Sequence, residues 1–327
     1  MFFAFIACDV ILLIILIFLA VNFFTTKEKK KAPIIFTHLN EKFNDFVEET
    51  NKHIQEKETK IKSKDKKIIK QASKKSKRVY ILGFKGGVFA DEVEKLRHEI
   101  TAVLLVARPG VDEILMNIDS PGGSVIGYGL VAAQLDRIKQ KNIKLTAMVD
   151  RVAASGGYMV AVVADKIVAA PFAYIGSIGV VQEFPNFSKL INKYGVEWKS
   201  YTAGESKRDV GTYGKITPDA EKRLNKKLAD IHILFKNHIA IYRKSVNVNK
   251  IATGECWTAR EALALKLVDS LAVSDDIIME QIKIAHVYNV YTPETKSKLD
   301  KILDTVTAQL MSKIKDFVFQ INTEKLM

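Results

Sequence analysis

Residues 113–124 read EILMNIDSPGGS, and this stretch decides the fold. Its first half, 113–118, is a short apolar run typical of a buried strand, and the paired glycines that follow mark a tight turn. A helix is predicted directly after the turn. The alternation continues on both sides, with helices predicted over 91–108, 124–141 and 155–164 and strands over 144–149 and 166–170. Strands that alternate with helices predict an α/β fold with parallel pairing.

The 327 residues suit one principal domain with appendages, because domains commonly hold about 100 to 200 residues. We predict a globular domain over 79–290, beginning with the apolar run VYIL. Within it, Thr217 supplies an N-cap ahead of Pro218 at the start of a long helix. After Pro293 apolar residues recur at three- and four-residue steps, so 291–327 is predicted to be an amphipathic helical tail. Packing on the main domain is favoured over a membrane-surface or subunit contact.

Residues 1–26 are predicted to be a transmembrane anchor. Positions 2–24 form a 23-residue run in which Asp9 is the only formal charge. At about 1.5 Å per residue the run spans roughly 34 Å, enough to cross a bilayer. A cleaved signal peptide would have a basic start, a shorter apolar core and a small-residue cleavage site, and the run has none of these. Asp9 lies within the first turns, where it can reach the interface and stay solvated.

Residues 27–78 are predicted to be a basic, partly helical linker. They hold 17 Lys or Arg against 8 Asp or Glu, a net charge of +9 out of +13 for the chain. The densest basic part, 60–78, lacks interleaved aromatic residues, so solvation or attraction to anionic lipid is favoured over nucleic acid. Four lysines between 27 and 31 favour a cytoplasmic position for this flank. Cys8 and Cys256 are not expected to pair and do not indicate a redox compartment.

Three glycine-bearing turns follow predicted strands: DSPGGS at 119–124, AASGGY at 153–158 and IGSIG at 175–179. Loops beyond the carboxyl ends of strands are where open α/β folds bind ligands. Each turn alone is explained by the conformational freedom of glycine. Ser155 stands out because small residues flank it and a predicted helix begins at once behind it. Backbone N–H groups there, with further donors from the Gly122-Gly123 pair, would form an oxyanion hole.

A serine nucleophile needs a base, and the span 99–231 contains no histidine. This excludes a Ser/His/Asp triad confined to that span. His98, His232 and His238 flank it, but each falls on a predicted helix and is interpreted as a surface or packing residue. Lysine is the remaining base, provided that burial lowers its pKa from about 10.4 towards neutrality. Lys207, in the turn TAGESK, follows an apolar stretch, although the residues alone leave the choice of lysine open.

Taken in this order, the three turns resemble the motifs of the bacterial signal peptide peptidase family of serine proteases, peptidase family S49. The resemblance covers residues 79–290 and extends to the single N-terminal anchor. It implies that Ser155 is the nucleophile and that Lys207, 52 positions later, is its general base. The chain is therefore expected to be a serine endopeptidase with a Ser/Lys dyad.

The resemblance also assigns accessory positions. It implies an oxyanion hole formed by Gly122, Gly123 and Gly156, and it implies that Ser177 orients the lysine. The stretch TGECWTAREA, at 253–262, resembles a further family signature, which we interpret as the start of a helix that closes the domain. Just before the base, the chain departs from the family, which often has tyrosine where this chain has serine. That departure weakens any inference about the substrate side chains near the lysine.

The family implies a Clp protease/crotonase-like spiral of β-β-α units and ring-like homo-oligomers in the bacterial inner membrane. The implied substrates are apolar peptides, such as signal peptide remnants or membrane-protein segments. Well-known relatives hold the protease domain on the outer face of the membrane, whereas the basic flank favours the cytoplasm, so the side stays open. The sequence has no phosphate-loop or zinc-binding spacing, and the expected mechanism needs no cofactor or metal.

Two alternatives keep the fold and change the function. A crotonase-type acyl-CoA enzyme would use a similar oxyanion hole without a serine nucleophile, and covalent labelling of Ser155 would argue against it. A catalytically silent membrane scaffold would be marked by loss of the nucleophile or the base. Both residues are present in this chain.

Overall fold

A sheet of mainly parallel strands organises the molecule. The computed structural model describes residues 33–45, 77–204, 207 and 210–293, and residues 34–292 form one compact unit. The strands of the main sheet are β1 (Ile35–His38), β2 (Arg78–Phe84), β3 (Glu113–Ile118), β4 (Lys144–Val149), β6 (Lys166–Ala169), β9 (Ser270–Leu271) and β10 (His286–Tyr291). Their spatial order is β1-β10-β2-β3-β4-β6-β9, and all neighbours are parallel except β1 and β10. The predicted α/β class with parallel pairing is confirmed.

Helices follow the strands in chain order and cover both faces of the sheet. They are α1 (Val93–Val106), α2 (Val125–Gln140), α3 (Gly156–Ala161), α4 (Ser188–Lys193), α5 (Pro218–Tyr242), α6 (Val248–Ile251), α7 (Ala259–Ala264) and α8 (Ser274–Ile284). Alternate residues of β2 join different cores, since side chains of a strand point to opposite faces. Tyr80 and Leu82 pack with α1, α2 and α3, whereas Val79 and Ile81 pack towards α8. Burial on both faces explains why the central strands are almost continuously apolar.

The long helix α5 begins where the sequence predicts. Thr217 Oγ1 accepts a hydrogen bond from the N–H of Ala220 at 3.2 Å. Pro218 occupies the first helical position, where its missing N–H removes no helical hydrogen bond. The second half of α5 packs on the core through Phe235 and Ile239, which are almost fully buried.

A smaller sheet lies at the end of β3. It contains β5 (Val152–Ala154), β7 (Tyr174–Gly176) and β8 (Cys256–Thr258), in the order β5-β7-β8. Strands β5 and β7 are parallel, and β8 is antiparallel to β7. A bridge between Ser120 and Ala153 joins this sheet to the turn after β3. Sequence patterns did not predict it, because three-residue strands are too short to show a period of two.

Strand β1 falls in the segment that the sequence assigned to the linker. Its residues pair antiparallel with β10 at the edge of the main sheet, with Ile35 opposite Tyr291 and His38 opposite Tyr288. The side-chain amide of Asn40 donates to the carbonyls of Ile282 and Ala285, which fixes the chain after β1. The structure therefore extends the folded domain to residues before 79. A four-residue strand inside a charged segment has little sequence signal of its own.

The predicted membrane anchor over 1–26 and the predicted tail beyond 293 lie outside the described residues. Among the described ranges, no helix combines the length and apolar character needed to cross a bilayer.

A buried carboxylate joins the start of β2, the residues after α1 and the start of β3. The Asp112 side chain has no exposed surface and accepts hydrogen bonds from the backbone and guanidinium groups of Arg78 and Arg108. Burial alone would raise the pKa of Asp112, but the hydrogen bonds from Arg108 and Arg78 outweigh burial and lower the pKa to about 2. Because this value lies below the unfolded one of about 3.9, the carboxylate stabilises the fold above about pH 4. That stabilisation is lost as the pH falls towards 2.

We expect Asp112→Asn to lower the free energy of unfolding by about 2 to 4 kcal/mol at pH 7, because it leaves two arginines beside an uncharged amide. The difference from wild type should shrink as the pH falls from 4 towards 2. Denaturant unfolding followed by circular dichroism at pH 7, 4 and 3 measures both effects. Glu94→Gln is the control, because the Glu94–Arg97 pair is exposed and should contribute less than about 0.5 kcal/mol. A cost for Asp112→Asn that is the same at every pH would contradict the prediction.

Candidate active site

Ser155 stands at a sharp turn from strand to helix. It follows β5 and immediately precedes α3, with φ 50° and ψ −119°. Its N–H donates to the carbonyl of Gly176 at 2.7 Å, and its carbonyl accepts from the N–H of Met159 at 3.0 Å. A non-glycine residue in this conformation costs on the order of 1 to 3 kcal/mol, and such strain occurs mainly at functional sites. The turn leaves the serine partly exposed in an otherwise buried segment.

The 119–124 turn lies directly against Ser155. A Cβ atom added to Gly122 would lie 2.7 Å from both Ser155 Cβ and the nitrogen of Gly156. One added to Gly123 would lie 2.1 Å from the carbonyl oxygen of Val88. Gly122 also has φ +95°, a conformation that favours glycine. Both glycines are therefore required by contact between backbones and are not merely tolerated.

Ser120 holds this turn in place, a role that no sequence pattern predicts. It has no exposed surface, its N–H donates to Val152 O at 2.9 Å, and its carbonyl accepts from Ala154 N–H at 3.1 Å. Its Oγ accepts a hydrogen bond from the N–H of Gly122 at 3.1 Å. The turn and β5 are thus linked by two backbone hydrogen bonds just before Ser155.

One of the three expected oxyanion donors already has an acceptor. Because the N–H of Gly122 is bonded to Ser120 Oγ, it is not available to a substrate oxygen. Within the described part of the chain, the N–H groups of Gly123 and Gly156 have no acceptor. The expected set of Gly122, Gly123 and Gly156 is therefore reduced to the last two, with Gly122 shaping the turn.

Ser177 occupies the equivalent position on the neighbouring strand. Ala154 of β5 pairs with Gly176 of β7 in parallel register, so Ser155 and Ser177 follow adjacent strands at the same level. Neighbouring strands lie about 4.8 Å apart. Ser177 also has a positive φ, 51°, and its N–H donates to Glu255 O at 2.6 Å. The structure brings these two serines together.

The 253–262 signature supports Ser177. It provides β8 and the start of α7, where Thr258 and Glu261 form a capping box. A Cβ atom on Gly176 would lie 2.6 Å from the ring of Trp257, so the indole packs on the backbone just before Ser177. The segment thus contacts the candidate site from the side of the small sheet.

Lys207 lies on an exposed segment between α4 and α5. Its N–H donates to Gly204 O at 3.2 Å, and its side chain is exposed. With residues 200–203 it lines a cavity of about 490 Å³. No hydrogen bond joins Lys207 to Ser155 in the described structure. The described structure therefore brings the 119–124 turn against Ser155, but it shows no hydrogen bond between Ser155 and the predicted base.

The histidines near the span are on helices, as the sequence predicts. His238 of α5 is within hydrogen-bonding distance of the carbonyl of Met159, at 2.9 Å, and burial lowers its pKa. This contact places it on the side of α3 one turn beyond Ser155. Among the described hydrogen bonds, none joins His98, His232 or His238 to Ser155. A triad with one of these histidines is not formed.

Comparison with known proteins identifies the family. The model of peptidase family S49 matches residues 137–288, and the model of the peptidase family S49 N-terminal region matches residues 1–135. The probable protease SohB of Haemophilus influenzae is 48% identical over 228 residues, which cover 70% of this chain and 64% of that protein, just under two thirds of its length. The probable protease SohB of Buchnera aphidicola subsp. Acyrthosiphon pisum is 43% identical over 248 residues, which cover 75% of this chain and 71% of that protein. The chain therefore belongs to peptidase family S49.

Proposed function

We propose that this protein is a serine endopeptidase in which Ser155 attacks the carbonyl carbon of a peptide bond. The observation that carries the proposal is the contact between the strained Ser155 turn and the Gly122-Gly123 turn. That contact puts two N–H groups without protein acceptors, those of Gly123 and Gly156, beside one partly exposed hydroxyl. Preorganised donors beside a nucleophile are what acyl transfer requires.

In the proposed reaction a neutral Lys207 amine takes the proton of Ser155 as Oγ bonds to the carbonyl carbon. The carbonyl oxygen becomes an oxyanion held by the N–H groups of Gly123 and Gly156. Lys207 then gives its proton to the leaving amine as the peptide C–N bond breaks. A water molecule, deprotonated by Lys207, attacks the resulting ester, and the proton returns to Ser155 Oγ as the acid product leaves. Ser177, beside Ser155, is proposed to orient the lysine.

The base must reach the serine for this reaction, to about 2.6–3.2 Å between Nζ and Oγ. Because the described structure shows no hydrogen bond between Lys207 and Ser155, the proposal requires that the amine approach the hydroxyl when substrate or a neighbouring subunit binds. The exposed position of Lys207 is the observation that favours the second candidate, a catalytically silent scaffold. The two candidates differ in whether removal of Lys207 changes a measurable rate.

The setting of the reaction is also a proposal. An apolar anchor at 2–24 would hold the domain at the bacterial inner membrane, where apolar peptides such as signal peptide remnants or membrane-protein segments are substrates. A Clp protease/crotonase-like spiral and a ring-like homo-oligomer follow from the family resemblance. Exposed aromatic residues near Lys207, including Trp198 and Tyr201, support a role for this segment in contacts with peptide or subunit.

We expect Ser155→Ala and Lys207→Ala each to lower kcat on an apolar reporter peptide by at least about 10³-fold, since each removes a member of the dyad. Cleavage by detergent-solubilised protein over pH 6 to 10 measures this. Lys193→Ala, an exposed lysine of α4, is the matched control and should cleave like wild type. Wild-type activity in Lys207→Ala would place the base elsewhere, and an inactive wild type would favour the scaffold.

Deletion of residues 2–24 should move the protein from the membrane fraction to the supernatant, because the deletion removes the long apolar run. Extraction with alkaline carbonate, followed by immunoblotting of both fractions, measures the distribution. Deletion of 294–327 serves as the comparison, since it removes the amphipathic tail and leaves the run intact. If the protein without 2–24 still resists carbonate, the membrane attachment lies in another segment.

A further inference from the structure

Tyr128 of α2 is a fully buried tyrosine that touches three separate backbone segments around Ser155. Its hydroxyl oxygen lies 2.8 Å from the carbonyl oxygen of Gly87 and 2.5 Å from Ser120 Oγ. A Cβ atom added to Gly156 would lie 2.5 Å from its ring. The segments it contacts are the loop after β2, the 119–124 turn and the first residue of α3.

The hydroxyl belongs to a short hydrogen-bonded chain. Ser120 Oγ also lies within donating distance of Gly86 O, at 2.9 Å. The two protons can run from Tyr128 to Ser120 to Gly86, or from Ser120 to Tyr128 to Gly87. In either arrangement Ser120 Oγ keeps a lone pair for the N–H of Gly122. Burial raises the pKa of Tyr128, so the phenol stays protonated at neutral pH.

The ring of Tyr128 makes contacts of its own, separate from those of the hydroxyl. It packs edge-on against Phe84 at the end of β2, with the ring centroids 5.8 Å apart. Its face limits how far Gly156 can move towards α2. The two N–H groups of the proposed oxyanion hole come from two of the three segments that Tyr128 contacts, the turn with Gly123 and the start of α3 with Gly156. One side chain therefore contacts both segments that supply these N–H groups.

We propose that Tyr128 is a positioning residue that sets the spacing of the oxyanion donors Gly123 and Gly156 through Ser120 and through ring contact with Gly156. The inference rests on the proposed function, because it names the residue that shapes the oxyanion hole of that reaction. Tyr128 does not touch the reacting atoms. It acts through the backbone, where a displacement below 1 Å changes how well a donor meets a developing charge.

Tyr128→Phe keeps the ring and removes the hydroxyl, so Ser120 and Gly87 each lose a partner. We expect kcat to fall on the order of 10-fold while KM stays within two-fold of wild type, since a transition-state contact is weakened. Affinity for a peptide aldehyde, whose adduct with the serine presents an oxyanion, should fall by about the same factor. Affinity for the matching peptide alcohol, which presents none, should not change.

Tyr242→Phe is the matched control, because its hydroxyl donates to Asp136, on the same helix α2, at 2.9 Å. It removes a hydroxyl contact of α2 that is remote from the three segments, and we expect kcat and both affinities to stay within two-fold. Ser120→Ala breaks the same chain from the other side. If Ser120 and Tyr128 act through one hydrogen bond, the double variant should be no slower than the slower single variant.

Hydrogen exchange of residues 120–124, followed by mass spectrometry, provides a readout that does not need activity. Exchange should quicken in Tyr128→Phe and not in Tyr242→Phe. Unchanged exchange and an aldehyde affinity within two-fold of wild type would overturn the proposal, as would equal losses for the aldehyde and the alcohol. A wild type that fails to react at Ser155 with a fluorophosphonate probe would instead overturn the proposed function, while the exchange result still decides whether Tyr128 shapes the turn.

Discussion

The contact between two backbone turns is the constraint on which the rest of the site depends. The 119–124 turn approaches Ser155 so closely that no side chain fits between them, and only glycine allows that approach. Close packing of main chain on main chain leaves polar groups that need partners. Ser120 satisfies several at once, because its backbone pairs with β5 and its hydroxyl accepts from Gly122. The donors left without partners are the ones that a substrate oxygen could use.

The sheet architecture explains why this contact can be held with precision. The turn follows β3, at the centre of a parallel sheet covered on both faces, and Ser155 follows β5, which is bridged to the same turn. A strained φ at Ser155 persists only where the surroundings over-determine it. Ser155 is held in this conformation by its hydrogen bond to Gly176 on one side and by its contact with Gly122 on the other. The stability of the core is thereby used to hold an unfavourable local conformation.

Features that depend on neighbouring residues could be predicted from the sequence, whereas features that depend on contacts between distant residues could not. The strands 113–118 and 144–149 and the Thr217-Pro218 helix start are local patterns, and the structure has them as predicted. The small sheet was missed because its strands are short and its partners distant in sequence. Tyr128 was missed because a tyrosine on an amphipathic helix looks like a core residue, which it also is. The occupied N–H of Gly122 depends on a side-chain rotamer that no spacing encodes.

The serine and the proposed base differ in how their backbones are held. The serine and its donors are held by the sheet, whereas Lys207 stands on an exposed segment outside it. A general base of this kind must be a neutral amine, and burial away from water favours the neutral form of a lysine. Under the proposed mechanism, the residues that cover this segment are therefore part of the catalytic requirement. If Lys207 is the base, hydrolysis by Ser155 therefore requires that Lys207 Nζ reach Ser155 Oγ in a site from which water is excluded.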